Sequence, residues 1–186
     1  MRFAWLFFAL VWALVWLASP VFAQSRTEAA GLRFTVPADW TRVPVPSDVR
    51  AAQFRVPKHA GDAEDGEAVL FYFGKGQGGG AQENLERWYS QMTQPDGRDA
   101  KQAGVVTIRT VHGLTVTALD LPGTYKPMAA AGHGEESTPR PGYRMLAAVI
   151  EGNGGTWFLR VIGPDATVKA AKPAFDALLA GVEAHQ

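Results

Sequence analysis

The residues best placed to do chemistry are Gly74-Lys75-Gly76-Gln77-Gly78-Gly79-Gly80, a run that follows an apolar segment and opens a helical one. Free N–H groups at a helix N-terminus, together with the helix dipole, favour negative charge. A carboxylate or phosphate is therefore the ligand this run would serve, with Asn84 and Arg87 beside it on the polar flank of the helix. A small hydrolase or anion-binding enzyme would use the same loop, adding a histidine or carboxylate as acid and base. The run lacks the G-x-x-x-x-G-K-[ST] order of a phosphate loop and the βαβ setting of a dinucleotide site. As a crossover whose glycines adopt positive φ, it needs no ligand to explain it.

Two further stretches have the residue types for binding. Asp62, Glu64, Asp65 and Glu67 offer clustered oxygen donors of the kind calcium takes. Their spacing is not that of an EF-hand, because Gly66 stands in no acceptable register, and a solvated loop accounts for them equally. Pro122 to Gly142 has no periodicity and is long for a connection inside a domain. It is the expected partner surface, with Tyr125 and Met128 as apolar anchors and His133, Glu135 and Arg140 as a polar rim. The alanine-rich centre of that stretch is equally compatible with disorder.

Nucleophilic catalysis finds little support. Ser25, Ser47, Ser90 and Ser137 lie outside any G-x-S-x-G elbow, and neither H-E-x-x-H nor paired histidines at metal spacing occurs. With no cysteine, the chain has no thiolate nucleophile, thiolate metal site, disulfide or lipid attachment point. His112 suits a turn that tolerates a left-handed backbone. We therefore expect no catalytic residue, no metal ligand and no cofactor. Trp40, Trp88 and Trp157 fall where a core needs bulk.

The elements that must position these residues follow from periodicity. Leu32 to Val36 and Ala52 to Val56 alternate as strands, while Ala68 to Phe73 is apolar on both faces, as in a central strand. Leu85, Trp88, Tyr89 and Met92 mark one face of a helix, and Gln94-Pro95-Asp96-Gly97 reads as a turn. Val105 to Val111 and Leu114 to Leu121 form a hairpin about His112-Gly113, and Tyr143 to Glu151 with Thr156 to Ile162 form a second. A closing helix spans Asp165 to Val182, kinked or restarted at Pro173. The expected architecture is a single α+β domain, an antiparallel β-sheet of about seven strands with helices packed on it.

The N-terminus sets the compartment. Arg2, the apolar run Phe3 to Ala18 and the small residues of Val21-Phe22-Ala23 read as a cleavable signal peptide over 1-23, cut after Ala23. A polar leader over 24-30 then precedes a domain over 31-183, acting in the periplasm or outside the cell with no membrane attachment after cleavage. Balanced charge, 18 basic against 18 acidic residues, gives no field to draw nucleic acid or anionic lipid.

Gly31-Leu32-Arg33-Phe34-Thr35-Val36-Pro37-Ala38-Asp39-Trp40, the succession of strands, and Pro173-Ala174-Phe175-Asp176 in the closing helix resemble the PsbP-like fold of photosystem II extrinsic proteins and their bacterial relatives. The resemblance implies an α/β/α sandwich over nearly the whole chain beyond the signal. Phe73 to Gly79, Asn84, Arg87-Trp88 and Gln94 to Gly97 look like a family of exported bacterial proteins without an assigned activity. Neither resemblance transfers a functional residue. The expected function is a non-catalytic binding or accessory role toward a protein or small anionic ligand of the exported compartment.

Overall fold

The computed structural model describes residues 25–127 and 138–185. The expected signal segment, Met128, His133 and Glu135 lie outside the described residues. In chain order the elements are β1 (Ser25–Ala29), β2 (Leu32–Val36), β3 (Thr41–Arg42), β4 (Arg50–Val56), β5 (Gly66–Tyr72), α1 (Ala81–Ser90), β6 (Met92–Thr93), α2 (Ala100–Ala103), β7 (Val105–Val111), β8 (Leu114–Tyr125), β9 (Arg140–Gly152), β10 (Gly155–Pro164), α3 (Asp165–Ala180) and β11 (Glu183–Ala184).

An eight-stranded antiparallel sheet runs β3-β4-β5-β10-β9-β8-β6, with β7 also paired to β8. One face carries Ala68, Leu70, Trp157, Leu159, Leu146 and Ile150, buried under α3 and under a three-stranded sheet β1-β2-β11. The opposite face carries Val149, Ala147, Met145, Leu119 and Phe158, covered by Leu85, Trp88 and Met92 from the α1 region and by Ala100. This is the expected α+β sandwich. Trp40, Trp88 and Trp157 are all core residues, as their positions required. β5 lies between β4 and β10, which explains why its sequence is apolar on both faces.

Several boundaries differ from the sequence expectation. Ser25 to Ala29, expected as a polar leader, is a strand joined to β2 through Ala30-Gly31, whose φ values of 49° and 74° make a primed turn. Its ladder to β2 defines it, and its mostly exposed edge position erased the apolar alternation that would have announced it. The segment Pro122 to Gly142 is strand at both ends, with Tyr125 opposite Arg140 and a bulge between Gly123 and Tyr125 that accommodates the Pro-Gly pair. α3 continues through Pro173 without restarting. Its N-terminus is capped from a distance, because Asp62 accepts hydrogen bonds from the backbone N–H and the hydroxyl of Thr167 at 2.9 and 2.6 Å.

Candidate functional site

The glycine run lies between β5 and α1. Gly74, Gly76, Gly78 and Gly79 all have positive φ, as expected of a glycine crossover. At the head of α1 the Gly80 N–H donates to Glu83 Oε2 at 3.0 Å. A carboxylate of the chain itself thus meets one of the free donors and the positive end of the dipole. Lys75 and Gln77 are exposed on the loop. Gly74, Lys75, Gly76, Gln77, Gly78 and Gly79, the residues expected to cradle a ligand, all lie in this crossover between β5 and α1.

Asn84 and Arg87 do line a cavity, one turn further along α1. Asn84 is 3% exposed, and its Nδ2 donates to the carbonyls of Gly78 and Gly80, both at 2.9 Å, so it ties the glycine loop to the helix. Its Oδ1 accepts from Arg87 Nη1 at 3.0 Å. Asn84 therefore orients Arg87. The cavity beside them measures about 290 Å³, at the small end of ligand pockets, and lies between α1 and strands β5 and β10. Phe71, Phe73, Trp88 and Phe158 supply its apolar walls, with Arg87, Arg160, Asn84 and Gln91 as polar groups.

The electrostatics of this cleft are unusual. Arg87 is held by the carboxamide of Asn84 and Arg160 by that of Gln91, at 3.2 Å from its Nη1. Neither guanidinium forms an ion pair with a described carboxylate; Arg160 stands over the Phe71 ring, and Arg87 lines the same cleft from the exposed side of α1. Arg160 also packs 5.7 Å from the centre of the Phe71 ring, and Arg50 approaches that ring at the same distance. Arg50 is neutralised by Glu67 at 3.2 Å. Arg160 Nε is buried without an acceptor among the described residues. An orphan donor on a charged group costs about 1–3 kcal/mol or more unless something accepts from it. Phe73 stacks parallel to Phe71 with centroids 6.2 Å apart and remains 40% exposed, leaving an aromatic face at the mouth.

A roomier cavity of about 480 Å³ lies between α1, β6 and α2. Its charges are spent on one another or on their neighbours, with Lys101 on Glu86 at 2.6 Å and Arg98 on Asp96 at 3.2 Å. It offers no uncompensated group.

Tyr125 and Arg140, expected in a partner surface, meet at Tyr143. The Tyr125 ring stacks on Tyr143 at 6.2 Å, and the Arg140 guanidinium lies 5.8 Å from the Tyr143 centroid. The Tyr143 hydroxyl donates to Glu64. Burial, then that bond, raises the phenol above its ordinary pKa. This cluster sits at the end of β9 away from the glycine run, which instead approaches Glu151 and Phe158. The described ends of the Pro122 to Gly142 segment and the glycine run therefore lie apart.

The acidic loop is dispersed rather than gathered. Asp62 caps α3, Glu64 takes Tyr143, Asp65 accepts from Lys58 N–H at 2.9 Å, and Glu67 binds Gln53 and Arg50. No group of three potential metal ligands occurs among the described residues. Sequence reasoning found Arg87 from its place on a helix flank and missed Arg160. An arginine at an inward position of an apolar strand, between Leu159 and Val161, was the available signal.

No family model matches the chain, and no curated protein matches it. Among solved structures it is similar to cyanobacterial PsbP (CyanoP) from Synechocystis sp. PCC 6803, with 14% identity, a TM-score of 0.52, and coverage of 93% of this chain and 100% of that one. It is also similar to a Pseudomonas aeruginosa protein of unknown function, at 12% identity and TM-score 0.48, covering 79% of this chain and 98% of that one. A third similar structure comes from Bacteroides thetaiotaomicron, at 14% identity and TM-score 0.43, covering 88% of this chain and 50% of that one. The fold is α+β and PsbP-like. No helix of the described residues is long and apolar enough to cross a membrane.

Proposed function

We propose that this chain is an exported, non-catalytic binding module that takes a small anion with a flat apolar body in the cleft under α1. The observation behind this reading is the pair Arg87 and Arg160, held by amides, without an ion pair to a described carboxylate, in a cleft walled by Phe71, Phe73 and Phe158. A carboxylate or phosphate entering the cleft would accept from the guanidinium groups of Arg160 and Arg87. Its apolar part would lie against the open face of Phe73. Charge-assisted bonds in a partly dry cleft are stronger than neutral ones, and a planar guanidinium suits a planar or tetrahedral oxyanion.

Melting of the full chain with millimolar phenyl phosphate, benzoate and neutral benzamide tests this, because a ligand that binds only the folded state raises stability. Both anions should raise Tm, benzamide should not, and Arg160→Met should abolish the response. An equal response to benzamide, or a response that survives Arg160→Met, overturns the reading. Export rests on residues 1–23, and N-terminal sequencing of the secreted protein should begin at Gln24. A sequence beginning at Met1 would show an uncleaved segment.

A further inference from the structure

We propose that β7 is the contact strand of a homodimer, pairing antiparallel with the β7 of a second copy about a two-fold axis at Ile108. β7 pairs with β8 over seven consecutive residues without a bulge. The hairpin turns through two residues, His112 and Gly113, with φ of 48° and 80°. In such a primed turn the flanking pair, here Val111 and Leu114, exchanges both backbone hydrogen bonds, and the pattern then alternates. Val105, Thr107, Arg109 and Val111 thus bond inward to β8. The N–H and C=O groups of Val106, Ile108 and Thr110 point away from it, toward an edge on which no other described strand pairs.

Protein sheets usually blunt such an edge with lysine, proline, a bulge or brevity. β7 has none of these, and Val105, Val106 and Ile108 are 62%, 38% and 71% exposed. Its sequence is complementary to itself. Centred on Ile108, the outward groups of Val106 meet Thr110 of the second copy and Ile108 meets Ile108, so every outward donor and acceptor finds a partner. Between them Val105 faces Val111, and Thr107 faces Arg109. The strand's one charge therefore opposes a neutral residue, and it already donates to the Asp176 carbonyl at 3.2 Å. Sliding one pleat toward the turn would set Arg109 against Arg109, a repulsive pair. Sliding the other way leaves an outward residue of each strand beyond its partner's end. The chemistry of the edge selects both the partner and the register.

The chain's lack of cysteine makes the test clean. A hydrogen-bonded antiparallel pair sets Cα atoms about 5.5 Å apart, inside the roughly 4.4–6.8 Å range of a disulfide. Mild oxidation of full-length Ile108→Cys should give a disulfide-linked dimer. Thr110→Cys, whose counterpart lies across the axis opposite Val106, should give about ten-fold less, as its separation exceeds that range. In sedimentation velocity the unmodified chain should be dimeric at high micromolar concentration. Ile108→Lys places two ammonium groups face to face and should raise the dissociation constant about ten-fold or more while leaving the circular dichroism unchanged. A monomeric native chain, equal crosslinking at both cysteines, or a dimeric Ile108→Lys protein would overturn the proposal. So would an edge that takes up only a strand of another protein.

Discussion

Gly78→Ala is the substitution whose consequence can be worked furthest. Gly78 has φ of 88°, and a Cβ built there would lie 2.6 Å from Phe158 Cε2 and 2.8 Å from Phe73 Cδ2. A left-handed backbone costs a residue with a Cβ about 1–2 kcal/mol. Phe158 is 3% exposed beneath α1 and cannot retreat, so overpacking adds about 1–3 kcal/mol, for a total of roughly 2–5. Gly76 provides the control, with φ of 75° and no atom within 4 Å of its built Cβ. Gly76→Ala should lose only the backbone part, about 1–2 kcal/mol. Urea unfolding of both variants, compared at a common slope, separates the two effects. Equal midpoints would show that the glycine loop does not rest on the cleft's aromatic wall, and its placement here would be refuted.

Asp62→Ala should cost about 1–2 kcal/mol by uncapping α3, while added calcium leaves the melting temperature of the native chain unmoved. A calcium-dependent rise would restore the acidic loop as a metal site. Asp120→Ala should cost roughly 2–3 kcal/mol, less than an isolated buried charge, because Arg144 keeps Asp165 at 3.0 Å; urea unfolding reads it. For Tyr143, the raised folded pKa means that the folded state holds its proton more tightly than the unfolded chain. Its contribution is present below the unfolded value of about 10 and is lost as pH rises through the folded value. Melting between neutral and strongly alkaline pH should show a decline that Tyr143→Phe makes shallower.

Much of the fold was legible because burial writes itself as period. β5, β8, the second hairpin and α1 all carry the apolar pattern of the surface they cover, and Gln94 to Gly97 closes as a turn with a 3.1 Å bond from the Gly97 N–H to the Gln94 carbonyl. Elements held by ladder bonds alone were not legible. Ser25 to Ala29 is polar because it lies at an edge, and the strand ends at Pro122 and Pro141 contain residues that usually forbid strand. The site was half legible. Arg87 stands on a visible helix flank, whereas its pairing with Arg160 depends on which strand α1 crosses, 73 residues of sequence away and set by tertiary packing. The glycine run lets Asn84 and Phe158 approach the backbone, and Glu83 accepts from the Gly80 N–H where it meets α1.

The claim that the cleft under α1 takes an anion is tested most directly by observing its two arginines. Correlation spectra of the arginine Nε–H groups, recorded while the full chain is titrated with phenyl phosphate, report each guanidinium separately. The Arg160 and Arg87 resonances should move together and saturate with one affinity, with Arg50 and Arg144, already paired to carboxylates, staying in place. Arg160 and Arg87 holding still while the ligand binds elsewhere, or while nothing binds, would contradict it.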